Sequence, residues 1–173
     1  MLARLKSNFY LAMLSLVGLL IAAFLTPYGL YRLFTGNIVV GATDLVMVLV
    51  SSCCVLFAWR TNNTKGPGLI MAMVFCIGAI LVCISLGTDG VFWLYPFIVF
   101  IFFLVSPIKA LVMLLLSLSV LVAAALINPG HIFDSIFQLV SFTVTCFITS
   151  LFAYMFAYRT QTQREALKVL ATT

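Results

Sequence analysis

The sequence is a succession of apolar runs, most close to twenty residues, separated by short clusters of Gly, Pro, Asn, Thr and charged residues. A helix needs about 20 residues to cross the ~30 Å hydrocarbon core of a bilayer, and backbone in lipid must satisfy its own hydrogen bonds, so such runs read as membrane helices. Composition agrees: 65% of the 173 residues are hydrophobic and only 8% are charged, against roughly 45–50% apolar usage in soluble domains. Too few polar side chains are present to cover a water-facing surface.

Cutting the runs at their punctuation gives helices at about 9–33, 38–59, 69–87, 91–107, 109–127 and 135–158. The breaks are Thr35-Gly36-Asn37, Thr61 to Gly68, Gly87-Thr88-Asp89-Gly90, Ser106-Pro107 and Asn128-Pro129-Gly130, all rich in residues that stop helices or make turns. The break at Ser106-Pro107 is the shortest. Without it, one helix over 91–127 would be about 55 Å long, too long for the core even when tilted. The first run is longer than the apolar part of a secretion signal and lacks a small-residue cleavage site, so it is expected to remain as a membrane helix.

The fold expected is therefore all-α: a polytopic bundle of six transmembrane helices in three hairpins over 1–158, followed by a cytoplasmic helix over 159–173. Orientation comes from the basic residues. With the N-terminus inside, Arg4, Lys6, Arg60, Lys65, Lys109, Arg159, Arg164 and Lys168 are cytoplasmic and only Arg32 is external, so both termini are expected in the cytoplasm. Tyr10, Trp59, Tyr154 and Tyr158 would mark the inner interface, and Tyr28, Tyr31, Trp93 and Tyr95 the outer one. The net charge of +5 is spread singly over run ends and forms no basic face, which excludes a nucleic-acid partner and leaves membrane lipid as the expected surroundings.

Charge inside a membrane is costly and usually faces protein, which singles out Asp44, about two turns into the second helix. Arg32, across the first outer turn, is the available partner for a charge-assisted hydrogen bond. The pair either pins the first hairpin or takes part in a ligand site. Asp89, Trp93, Tyr95, His131 and Asp134 join it as candidates for an externally open site for an unknown small ligand, the alternative being an ordinary interfacial belt. His131 and Asp134 alone are too few to define a metal centre, and no metal ligand set is expected. Cys53, Cys54, Cys76, Cys83 and Cys146 lie inside apolar runs without metal or redox spacing and read as packing residues.

From Arg159 the composition turns polar with no Gly or Pro, so the last helix is expected to continue into the cytoplasm as a stalk. Phe156, Thr160, Gln163, Leu167 and Leu170 make an imperfect heptad seam, consistent either with a parallel coiled coil in a homodimer or with a solvated helical tail.

The ending Leu167-Lys168-Val169-Leu170-Ala171-Thr172-Thr173 resembles the short helix that leads into GGDEF domains, where Leu-x-x-Leu-Ala-x-x is followed by Asp-x-Leu-Thr-Gly-Leu. The six preceding runs are similar in layout to the MASE-type sensory domains of bacterial diguanylate cyclases. The motif covers about the last ten residues, and the sequence stops where that Asp would come. The resemblance implies a multi-pass inner-membrane sensor controlling cyclic-di-GMP synthesis by a following output domain. GTP and magnesium belong to that domain, and no catalytic residue or cofactor is carried over to these residues. A small transporter or channel, and the sensor of a histidine kinase, are the alternative classes. The clustering of polar groups near one side argues against a transport path.

Overall fold

The structure is a computed structural model that describes residues 8–172, with side chains throughout except at Glu165 and 168–172. Arg4 and Lys6, part of the orientation argument, lie outside the described residues, as does the Leu170 side chain of the proposed seam.

The regular structure of the described residues is all helical, as α1 (Phe9–Phe34), α2 (Ile38–Thr61), α3 (Lys65–Leu86), α4 (Thr88–Val91), α5 (Leu94–Leu104), α6 (Pro107–Ile127) and α7 (Ile136–Thr172). Five of these, α1, α2, α3, α6 and α7, are long and apolar enough to cross a membrane. The turns use the expected chemistry: Gly36, Gly87 and Gly130 have positive φ, and Asn62 closes α2 in the left-handed region at φ 59°.

Two boundaries differ from the sequence reading. Gly66-Pro67-Gly68, expected as a turn, belongs to the first turn and a half of α3. Pro67 is tolerated there because the first amides of a helix have no intrahelical partner. Gly68 is needed for a different reason, since a Cβ at this position would collide with the backbone carbonyl of Leu104.

The expected continuous helix over 91–107 is instead broken into the single turn α4 and the 11-residue α5, which is about 16 Å long. Pro96 accounts for the break. A helix running through from Thr88 would need the amide of residue 96 to bond the Phe92 carbonyl, and proline has none, so α5 starts afresh at Leu94 with Pro96 in its first turn. Its other end stops at the extended pair Val105 and Ser106, and Pro107 opens α6.

The short α5 is the hub of the bundle and packs against α1, α3, α6 and α7. Its Phe97 stacks on Phe75 of α3 at 5.5 Å, both rings fully buried. Ile98 and Ile101, also fully enclosed, continue this core, together with Leu14 of α1, Met47 of α2 and Met71 of α3. α7 is the least enclosed of the long helices, with Phe137, Phe147, Leu151 and Phe152 on its exposed side.

Contacts between residues far apart in sequence define two ends of the bundle. At the first, hereafter the stalk end, Arg164 of α7 lies over the Phe9 ring of α1 at 3.1 Å and Phe103 meets Phe156 at 6.2 Å. At the other, Arg32 meets Asp44, Tyr28 meets Trp93, and the loop at Ile132 meets Thr88.

Candidate functional site

The α1–α2 turn is built to deliver a charge pair. Thr35 Oγ1 donates to the Tyr31 carbonyl at 3.0 Å and the Asn37 amide donates to the Arg32 carbonyl at 2.9 Å, closing α1 and reversing the chain within three residues. The two helices then descend in direct backbone contact. A Cβ on Gly41 would sit 2.8 Å from the Gly29 carbonyl oxygen, and one on Gly29 would sit 3.0 Å from the Cβ of Asp44. Such close approach by small residues is how helices pack in lipid, where apolar surface alone gives little drive to associate.

Directly beside this contact, Arg32 donates to Asp44 Oδ2 at 2.7 Å, with only 6% and 4% of the two side chains exposed. The guanidinium carbon stands 4.2 Å from the centre of the Tyr28 ring and 5.9 Å from that of Trp93, while the two rings touch at 5.1 Å. The cation is thus held by a carboxylate on one side and by π-faces on the other, an arrangement that lowers the cost of its burial. Asp44, Tyr28, Trp93, Leu25, Val82 and Phe97 share a small crevice, so the pair links α1 and α2 to α3 and to the break before α5.

Of the seven candidates named from sequence, the structure brings Arg32, Asp44 and Trp93 together and keeps the other four apart from them. Tyr95 packs edge-on against Phe142 at 6.0 Å, inside an aromatic group completed by Phe133. The exposed His131 places Nε2 2.9 Å from the Ile84 carbonyl oxygen, pinning the 128–135 loop to the end of α3. Thr88 donates to the Ile132 carbonyl at 3.3 Å in the same place. Asp89 and Asp134 are exposed, and the Asp134 amide donates to Gln138 Oε1 at 2.8 Å. No three His, Cys, Asp or Glu side chains come together among the described residues.

The cysteines are all free thiols; Cys54, Cys83 and Cys146 are buried and Cys53 is exposed on an apolar helix surface.

Tyr28 is the site residue that the sequence reading placed only in an interfacial belt. Its signal was its position one turn before Arg32, the spacing that puts two helix side chains in contact. Gly29 and Gly41 carried no signal, because the need for glycine arises only when the two helices meet.

At the other end, α7 continues without interruption for 37 residues, from the bundle through the whole polar segment. The seam residues divide. Phe156 touches Phe103 of its own chain and Thr160 faces a crevice at the start of α1 and α6, whereas Gln163 and Leu167 face outward.

Compared with protein-family models, with curated proteins and with solved structures, the chain matches none.

Proposed function

We propose that these residues form the sensory and dimerisation domain of a multi-pass signalling protein of the inner membrane, which transmits a stimulus through α7 to an output domain following residue 173. The observation that carries this reading is the uninterrupted α7: one rigid helix joins the least enclosed side of the bundle to a polar segment about 20 Å long beyond Arg159. Any shift or rotation of its membrane portion is delivered to whatever follows. The ending at Leu167 to Thr173 makes a GGDEF diguanylate cyclase the preferred output, and a cyclase that joins two GTP molecules across facing domains is suited to control by dimer geometry.

The reading includes six crossings with both termini cytoplasmic. It is supported by the eight-to-one distribution of basic residues and by the contacts of the Thr88–Leu104 segment. Gly87 at its start packs on the His131 carbonyl, and Leu104 at its end packs on Gly68, the opposite ends of α3. A crossing this short is accommodated because α1, α3, α6 and α7 surround it, leaving little of it to match the bilayer.

The test is an insertion series of one to seven residues after Arg159 in the full-length protein, read by cyclic-di-GMP production. Each residue rotates the attached domain by about 100°, so output should vary with helical phase, largely returning at four and at seven. A response that ignores phase overturns transmission through α7.

A further inference from the structure

A second cavity shares no lining residue with the crevice at the charged pair. This cavity of about 320 Å³ lies between α5, α6 and α7, within the size range of small-ligand sites, and its walls are mostly leucine. Its polar groups are Ser117 on α6 and, on α7, Cys146, Ser150 and Tyr154. The last three recur every fourth residue and so form one stripe along the helix. Between α6 and α7 the rim residues Leu115 and Phe147 are 46% and 57% exposed, which opens the cavity sideways toward lipid.

Ser150 is the informative residue. Hydroxyls in apolar helices ordinarily bond back to the carbonyl four residues earlier, and Ser117, Thr143, Thr145 and Thr149 all do so, at 2.7–2.8 Å. Ser150 has no such bond and no other partner among the described residues, although the residue is only 9% exposed and faces the cavity. Its Oγ is not sealed in the packing, since no enclosed side-chain oxygen or nitrogen among the described residues lacks a partner, so this hydroxyl opens into the cavity and is available to an acceptor brought by an occupant.

Depth limits the occupant. Ser150 is about 21 Å along α7 from Ile136 and about 14 Å from Arg159, close to the middle of a ~30 Å core. The ester carbonyls of phospholipids sit at the polar border and do not reach it. The acceptor therefore belongs to a molecule that dissolves in the hydrocarbon core and carries a carbonyl on a compact apolar body.

We propose that this cavity binds a lipophilic carbonyl compound of the quinone type, entering laterally between α6 and α7 with one carbonyl accepting from Ser150. As a stimulus for α7 the ligand rests on the sensory reading above; as a binding site it stands on the cavity alone.

The test reads binding only. Full-length protein in lauryl maltoside micelles is titrated with radiolabelled decylubiquinone, with decylbenzene as a competitor of similar shape that lacks carbonyls. Saturable binding is expected, weakened roughly three- to tenfold by Ser150→Ala, the loss of one hydrogen bond, and unchanged by Ser119→Ala on the exposed side of α6. Ser150→Phe should fill the space and remove saturable binding; should that variant not fold, Leu115→Trp at the rim replaces it and should slow or block entry. Binding indifferent to Ser150→Ala, or decylbenzene competing as well as unlabelled decylubiquinone, overturns the proposal. Loss of phase dependence in the insertion series leaves this result untouched, so the two readings fail separately.

Discussion

Removing one member of the Arg32–Asp44 pair should destabilise the bundle more than removing both. The two side chains are 6% and 4% exposed and meet at 2.7 Å, so each single substitution strands the other charge in a site with almost no solvent. Breaking a buried pair from one side costs about 3–5 kcal/mol. The two singles soften this differently. With Asp44→Asn, the cation keeps the faces of Tyr28 and Trp93, an attraction of about 0.5–2 kcal/mol. With Arg32→Met, those contacts are lost, but the carboxyl can escape by taking up a proton, which at neutral pH costs about 4 kcal/mol from an ordinary carboxylate. Each single should therefore lose about 3–5 kcal/mol. The double substitution Arg32→Met with Asp44→Leu leaves no charge behind and should lose about 1–2 kcal/mol, giving a coupling of at least about 2 kcal/mol. Thermal unfolding in detergent is a suitable assay, since a chain of this size shifts by roughly 2–4 °C per kcal/mol. Additive single and double substitutions would mean that the pair is not an energetic unit.

Glycine contacts should sort by what stands opposite them. Gly68→Ala meets the rigid Leu104 backbone and should cost about 1–3 kcal/mol, whereas Gly78→Ala meets the flexible end of Met47 and should cost less; comparison of the two melting temperatures checks this order. For the proposed topology, cysteine labelling in intact cells should find position 63 protected from the outside and positions 89 and 128 accessible; external labelling at 63 would invert the arrangement. Arg164→Ala should loosen the base of the stalk from α1 by removing the contact over Phe9, raising hydrogen exchange in the last turns of α7 while leaving α1–α2 unchanged.

Most of the helical framework could be read from the sequence, because a backbone in lipid has few choices and the residues that stop helices are concentrated in short clusters. The Arg32–Asp44 contact could be read for the same reason: two charges flanking a tight turn, one of them inside an apolar run, have little else to pair with. Local chemistry also placed a break at Ser106-Pro107; the structure sets it at Val105–Ser106, with Pro107 already inside α6. Pro96 sits inside an unbroken apolar run, which conceals the interruption at Phe92 and Trp93.

Other features depend on which helices meet. Gly68 looks like a turn residue until the Leu104 carbonyl is placed against it, and Gly29 and Gly41 look incidental until α1 and α2 touch. Phe156 and Thr160 read as a seam for a second chain, yet their neighbours in space include Phe103 and the crevice beside α1. The cavity at Ser150 lies on no single helix and is walled by residues of α5, α6 and α7 together. Hydrophobic length and helix-breaking residues act along the chain, and the sequence determined what depends on them: a largely helical, membrane-embedded protein with its charges at the ends of the runs. Close approach, π-stacking on a cation and an unpaired hydroxyl facing a void are relations between segments, so only the tertiary structure decided them.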